Sequence, residues 1–91
     1  METKHYHMVI TGTVQGVALR SYVKRKADEL GITGFIKNEK DGTVTIEAEG
    51  GKETLDAFVS WCYEGSPAAE VKNVIVTVGT VQSYQDFKIK Y

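Results

Sequence analysis

The sequence contains little cysteine and no long apolar run. Its single cysteine, Cys62, has no partner for an internal disulfide, which is typical of proteins from a reducing compartment. No stretch approaches the roughly 18 apolar residues that a membrane-spanning helix needs. The N-terminal residues METKHYHMVI also lack the apolar core and the small-residue cleavage site of a signal peptide. We therefore expect a cytoplasmic protein that does not enter a membrane.

An excess of charge of one sign is missing as well. Eleven basic residues stand against twelve acidic ones, so the net charge is −1. This balance argues against a polybasic surface for nucleic acid or for a membrane. A small anionic ligand would therefore need a local concentration of positive potential, because the molecule as a whole supplies none.

The 91 residues predict a single domain, 1–91, in which strands and helices alternate. Alternation of apolar and polar residues predicts strands, and apolar spacings of three and four predict amphipathic helices. The predicted strands cover residues 5–10, 32–38, 43–49, 71–78 and 84–91. The predicted helices cover residues 21–30 and 55–62.

Two of these segments allow sharper predictions. The run VKNVIVTV, residues 71–78, is rich in β-branched residues and nearly continuously apolar, which predicts a well-buried strand. Asp41 and Gly42 join two predicted strands, and this pair favours a type I′ hairpin turn with positive φ at both residues.

The element order is βαββαβ with a short final strand. Both strand–helix–strand connections should be right-handed, which places the two helices on one face of the sheet. The expected fold class is therefore α+β, a ferredoxin-like split βαβ sandwich with a mixed, mainly antiparallel sheet. This architecture supports many functions, so it does not by itself predict the chemistry.

The first helix begins without a capping side chain. Ser, Thr, Asp or Asn usually covers one of the first N–H groups and stabilises the helix by about 1 kcal/mol. Val17, Ala18 and Leu19 offer no such group, and Arg20 adds a cation where the helix dipole is already positive. Both features become favourable if an anion such as phosphate binds to N–H groups that Gly16 allows to converge. Glycine loops also precede helices that bind no ligand, so the loop alone leaves both interpretations open.

Asn38, at the end of the second predicted strand, is the other candidate. In the expected fold this strand shares a sheet with the first one, so Asn38 can approach the loop around Gly16. Its carboxamide can orient a water molecule but cannot deprotonate it. Asn is also common at the start of a turn, and spacing alone favours that interpretation.

Together, the two stretches resemble the two signature segments of the acylphosphatase family. The first is IxGxVQGVxxR, residues 10–20, and the second is GFIKNxxxGxVxxxxxG, residues 34–50. Two long motifs in the right order, on a matching element order over nearly the whole chain, are far more specific than either alone. The resemblance implies an enzyme that hydrolyses acyl phosphates to carboxylate and inorganic phosphate, without a metal or an organic cofactor.

The resemblance also implies roles for particular residues. Arg20 would bind the substrate phosphate, and Asn38 would position the attacking water. The loop that wraps the phosphate would comprise Gln15, Gly16, Val17, Ala18, Leu19 and Arg20. The substrate would be a small molecule, and we expect the enzyme to act as a monomer without nucleic-acid or membrane partners.

The chain departs from the family pattern at a few positions. Leu19 stands where the family usually has an aromatic residue, Ile36 replaces a usual Val, Ala or Cys, and Ala18 is small for its position. We expect Leu19 to pack beneath the loop. A displacement of about 1 Å at a reacting centre can cost roughly 100-fold in rate, so these changes bear on catalytic efficiency.

Other side chains suggest chemistry less strongly. His5 and His7 lie two residues apart on a strand, but a catalytic zinc needs a third protein ligand and the chain has no further histidine. Cys62 lacks the Arg six positions later that a cysteine phosphatase loop requires, so we expect it to pack in the core.

Two other functions stay open at this point. Ala18 and Leu19 motivate a non-catalytic phosphate- or anion-binding module of the same fold. A sheet domain that contacts protein or nucleic acid is the third possibility, although the balanced charge and the missing aromatic RNA-binding motif count against nucleic acid.

Overall fold

Strands and helices follow one another in the predicted order. The computed structural model describes residues 2–91. The elements are β1 Lys4–Thr13, α1 Leu19–Leu30, β2 Thr33–Asn38, β3 Val44–Gly50, α2 Lys52–Cys62, β4 Glu70–Gly79 and β5 Phe87–Lys90. The first helix therefore starts at Leu19, the first residue of the predicted apolar face, two residues before the predicted range of 21–30.

The five strands form one sheet in the order β4-β1-β3-β2-β5. β1 runs antiparallel to both β3 and β4, β2 runs antiparallel to β3, and only β2 and β5 pair in parallel. The mixed, mainly antiparallel sheet and the two helices packed on it confirm the expected ferredoxin-like α+β class.

The core lies between the helices and one face of the sheet. Alternate residues of β1 and β3 point into it, and the apolar faces of both helices cover them. Burying one such aliphatic side chain stabilises the fold by about 1.5–3 kcal/mol. Fully or almost fully buried side chains include Met8, Ile10, Leu19, Val23, Ala27, Ile46, Leu55, Phe58 and Cys62. The predicted helix faces and the core position of Cys62 are confirmed.

The prediction of a well-buried β4 was wrong. Val74 is buried, but Ile75 is 51% exposed and Val78 is 69% exposed. β4 forms an edge of the sheet, so it has a neighbour on one side only. Its apolar composition reflects β-propensity rather than burial, and the two causes give the same sequence pattern.

The predicted hairpin is present, but the predicted turn type was wrong. Gly42 has φ 93°, whereas Ala18 and Ser83 are the only non-glycine residues with positive φ within residues 2–91. Asp41 instead uses its carboxylate to accept hydrogen bonds from the Thr43 N–H (3.0 Å) and hydroxyl (2.7 Å). This local bonding favours an ordinary negative φ at Asp41.

The connection from β4 to β5, residues 80–86, crosses the face of the sheet opposite the helices. Glu49 of β3 accepts hydrogen bonds from the N–H groups of Gln82 (2.5 Å) and Tyr84 (3.2 Å) in this connection. The buried His5 of β1 bonds the same carboxylate through Nδ1 at 2.7 Å. The crossing segment is thereby tied to the sheet before the chain enters β5.

Across residues 2–91, neither helix is both long enough and apolar enough to cross a membrane.

Candidate active site

A cavity of about 240 Å³ lies at the start of α1, next to the end of β2 and the end of the chain. Its walls come from three separate stretches of sequence, which the sheet pairing brings together. The lining residues are Val14, Gly16, Ala18, Leu19, Arg20, Ser21, Asn38, Ile89 and Tyr91. Five of the predicted site residues, in both motifs, therefore face one cavity.

The loop before α1 borders this cavity and has unusual backbone angles. Gly16 and Ala18 both adopt left-handed backbone angles, with φ values of 73° and 60°. Within residues 2–91 the N–H groups of residues 16–21 have no hydrogen-bond acceptor, and the first bonded amide is that of Tyr22, which donates to Ala18 O. Left-handed residues alternating with others make successive N–H groups converge, which creates a site for an anion.

The N-terminus of α1 also lacks any compensation for its positive end. Ala18 is the capping residue and makes no side-chain hydrogen bond, and the first turn carries no acidic residue. Ser21, in that first turn, directs its hydroxyl back to Ala18 O at 3.0 Å. The helix dipole therefore adds to the charge of Arg20 rather than being neutralised.

Arg20 is free to bind an anion. No carboxylate lies within ion-pair distance of its guanidinium among residues 2–91. Its one marked contact is aromatic: the guanidinium carbon lies 4.8 Å from the centre of the Tyr91 ring. A guanidinium stacked in this way keeps its N–H donors available in the ring plane for an oxyanion.

Asn38 lines the same cavity, and its side chain carries a buried acceptor. Its Oδ1 atom is buried and has no hydrogen-bond partner within residues 2–91. A buried polar atom without a partner costs about 1–3 kcal/mol, which a stable fold normally avoids. Because Asn38 lines the cavity, its carboxamide fits the orientation of a nucleophilic water there.

Gln15 lies in the loop but does not line the cavity. Its Nε2 atom donates to two main-chain carbonyl oxygens of the β2–β3 hairpin, those of Glu39 (2.7 Å) and Thr43 (2.8 Å). It therefore does not fold back to cap α1. These bonds tie the loop to the hairpin that carries Asn38.

Val17 does not line the cavity, whereas Leu19 does. The Val17 carbonyl accepts a hydrogen bond of 2.6 Å from the hydroxyl of Ser66, which is buried. Leu19 is 1% exposed and packs in the core beneath the loop, as expected from the sequence.

Sequence reasoning missed four residues that the structure places around the cavity. Val14 and Ser21 lie next to predicted site residues, so proximity in sequence could have found them. Ile89 and Tyr91 arrive from the other end of the chain through the parallel pairing of β5 with β2. No local pattern signals that contact.

His5 and His7 lie on the face of the sheet opposite the helices. Burial alone would lower the pKa of His5, but hydrogen bonds to Glu49 and Glu47 outweigh it and raise that pKa. His7 bonds Glu47 as well. Within residues 2–91 no group of three or more His, Cys, Asp or Glu side chains is arranged to hold a metal ion.

The chemistry available in the cavity follows from these groups. N–H donors and a guanidinium can stabilise negative charge on phosphoryl oxygens, and a carboxamide can orient water; the lining residues described include no His, Cys, Asp or Glu side chain. Such a site suits phosphoryl transfer to water from a good leaving group, since that reaction depends mainly on positioning and charge stabilisation.

Comparison with known proteins finds the same family by sequence and by structure. The family model described as Acylphosphatase matches residues 6–89. The chain is 43% identical over 83 residues to the acylphosphatase of a Nocardioides species, covering 91% of this chain and 84% of that protein. It is 47% identical over 76 residues to the acylphosphatase of Pelotomaculum thermopropionicum, covering 84% and 83%. The crystal structure of acylphosphatase from Bacillus subtilis superposes with a TM-score of 0.94 at 36% identity, covering 97% of this chain and 99% of that one.

Proposed function

The chain belongs to the acylphosphatase family, and we propose that the 15–20 loop and Arg20 hold the phosphoryl group of its substrate while Asn38 positions the attacking water. The enzyme hydrolyses acyl phosphates to a carboxylate and inorganic phosphate. The named relatives are acylphosphatases, so the alternative of a module that binds phosphate without turnover is not favoured.

In the proposed complex, the phosphoryl oxygens accept hydrogen bonds from the unpaired N–H groups of residues 16–21 and from the forked guanidinium of Arg20. These donors stand in place before the reaction, so they need little reorganisation as charge shifts in the transition state. A water bonded to Asn38 Oδ1 attacks phosphorus in line with the departing carboxylate.

Proton movement needs no protein base in this scheme. The water loses its proton to a phosphoryl oxygen as the P–O bond to the acyl group breaks. The carboxylate leaves as a stable anion, so no general acid is required. Simple phosphate monoesters, whose alkoxide leaving groups need protonation, should therefore be poor substrates.

One observation carries the assignment of Asn38: it lines the cavity that Arg20 also lines, and its buried Oδ1 has no partner within residues 2–91. Benzoyl phosphate hydrolysis tests it in Asn38→Ala and Arg20→Ala. We expect Asn38→Ala to lower kcat about 100-fold or more while inorganic phosphate still inhibits, and Arg20→Ala to weaken phosphate inhibition as well.

Matched controls lie outside the cavity. Asn73→Ala removes a carboxamide of β4 whose Oδ1 already bonds the Val74 N–H, and Arg25→Ala removes a guanidinium that faces Tyr22. Both should keep wild-type kinetics. Full kcat in Asn38→Ala would refute the water-positioning role.

Three further parts of the proposal concern the oligomeric state, the metal requirement and the location of the enzyme. We propose that the enzyme acts as a monomer. The proposed chemistry uses only protein donors, so activity should survive EDTA. The single, buried cysteine is compatible with a cytoplasmic location.

A further inference from the structure

We infer that Ser66, in the loop between α2 and β4, is a positioning residue that holds the Val17–Ala18 peptide with its N–H directed at the bound phosphoryl group. The inference rests on the proposed function of the 15–20 loop. It assigns a role to a residue that lies 49 positions from Val17 in sequence and does not line the cavity.

The first step is the hydrogen bond itself. Ser66 Oγ donates to Val17 O over 2.6 Å, and Ser66 is only 2% exposed. A buried hydroxyl with one protein acceptor has its direction determined by that acceptor. Without this donor, the Val17 carbonyl would lose the partner that the structure gives it, at a cost of about 1–3 kcal/mol.

The second step is the geometry of the peptide unit. No cis peptide bond occurs within residues 2–91, and a trans peptide places its C=O and N–H on opposite sides. Because the Val17 carbonyl points to Ser66, which does not line the cavity, the Ala18 N–H points the other way. Ala18 lines the cavity and Val17 does not, so that N–H faces the proposed phosphate position.

The third step concerns the backbone of Ala18. Its left-handed φ of 60° is unfavourable for a residue with a Cβ atom, by roughly 1–2 kcal/mol. A peptide in this strained state would relax by rotating unless another contact held it. The Ser66 hydrogen bond opposes that rotation directly, since turning the peptide would move the carbonyl away from the hydroxyl.

The fourth step is the rigidity of the support. The turn that carries Ser66 is internally bonded: the Gly65 N–H donates to Trp61 O, and the Ala69 N–H donates to Ser66 O. A Cβ atom added at Gly65 would lie 3.0 Å from Leu19 Cδ1, so this turn sits directly against the base of the loop. The turn therefore supports the loop at two adjacent points, the Val17 carbonyl and the Leu19 side chain.

Ser66→Ala and Ser66→Thr test the inference, with Ser60→Ala on the exposed side of α2 as the control. We expect Ser66→Ala to raise the inhibition constant of inorganic phosphate and to lower kcat/KM about ten-fold. This is less than the roughly 100- to 1,000-fold of a deleted oxyanion donor, because the amide is still present but no longer held. Ser66→Thr, which keeps the hydroxyl, should stay within about two-fold of wild type.

A purely structural role gives a different result. Ser66→Ala would then lower the melting temperature while the phosphate inhibition constant and kcat/KM stayed at wild-type values, which would overturn the inference. Should Ser66→Ala not fold, amide NMR of the wild-type protein decides. Titration with inorganic phosphate should shift the Ala18 amide proton strongly downfield, and an unmoved Ala18 amide would equally overturn the inference.

Failure of the proposed function is distinguishable from failure of this inference. If Arg20→Ala leaves phosphate inhibition intact, the proposed phosphate site is wrong and Ser66 loses its role with it. If Arg20→Ala abolishes phosphate inhibition while Ser66→Ala leaves it unchanged, the site stands and only the role of Ser66 is refuted.

Discussion

The Tyr91 ring lies against the guanidinium of Arg20, with 4.8 Å between the guanidinium carbon and the ring centre. The tyrosine is 95% exposed, so the contact is made at the surface. Both residues line the cavity, so the ring lies beside the guanidinium at the cavity itself.

Removing this ring should weaken phosphate binding moderately. A cation–π contact at an exposed site is worth about 0.5–1 kcal/mol, so we expect Tyr91→Ala to raise KM for benzoyl phosphate about two- to five-fold. Tyr91→Phe should retain wild-type KM because the ring is kept. Tyr22→Ala removes the corresponding contact with Arg25 (5.4 Å) and serves as the control. Equal KM values in Tyr91→Ala and wild type would contradict the prediction.

The two hydrogen bonds of the Gln15 amide should matter for both stability and turnover. Gln15→Glu places a carboxylate against the carbonyl oxygens of Glu39 and Thr43, which it cannot bond. We expect the free energy of unfolding in urea to fall by about 2–3 kcal/mol in Gln15→Glu and by about 1–2 kcal/mol in Gln15→Ala. Gln85→Glu, at an exposed position, is the control and should change it little.

Turnover gives a second measurement on the same variants. The Gln15 bonds link the loop to the hairpin beside Asn38, so their loss should lower kcat more than it weakens phosphate inhibition. A Gln15→Ala variant with reduced stability and unchanged kcat would show that the link does not align the two halves of the site.

The buried pair His5 and Glu49 should make stability depend on pH in two directions. Hydrogen bonds to Glu49 and Glu47 raise the pKa of His5 above its ordinary 6.5 against the effect of burial. Its stabilisation is therefore complete below about pH 6.5 and is lost as the pH rises through the higher folded-state pKa. Burial alone would raise the pKa of Glu49, but hydrogen bonds from Gln82, His5 and Tyr84 outweigh burial and lower that pKa below 4.5. The contribution of Glu49 to stability is therefore lost as the pH falls through the lower value.

Thermal unfolding between pH 3 and 9 should therefore show a maximum between about pH 4.5 and 6.5. His5→Gln should flatten the alkaline decline and leave much of the acid one. His7→Gln, which changes a more exposed histidine of the same strand, should keep the alkaline decline. A melting temperature in His5→Gln that falls with rising pH as steeply as in wild type would exclude this origin.

The thiol of Cys62 should be unreactive in the native enzyme. Burial raises its pKa to about 12, so the reactive thiolate is nearly absent at pH 8. We expect no reaction with a disulfide reagent under native conditions and one equivalent of reaction in denaturant. Ser60→Cys, on the exposed side of the same helix, should add one fast-reacting thiol. Rapid native labelling of Cys62 would show that α2 opens readily.

The elements that bury one face could be predicted from the sequence. Leu19, Val23 and Ala27 recur on one side of α1, and this periodicity exists because one side of the helix meets the core. The helix end at Gly31 follows from its left-handed φ of 71°, which glycine adopts without strain. The fold class was confirmed for these reasons.

Features that depend on which elements become neighbours could not be predicted in this way. The exposure of Ile75 follows from the edge position of β4, and the approach of Tyr91 to Arg20 follows from strand pairing across the sheet. The turn at Asp41 was decided by hydrogen bonds that its own carboxylate accepts from Thr43. Ser66 carries no local signal, because its partner Val17 is distant in sequence.

The loop before α1 takes its shape from bonds that begin and end outside it, at Ser66 and at the carbonyls of Glu39 and Thr43. A graft of residues 13–20 into another scaffold would therefore carry the motif without the conformation. Transplanting the activity would require a host that supplies a hydroxyl beneath Val17 and two carbonyls opposite Gln15, so the smallest transferable unit is close to the whole domain.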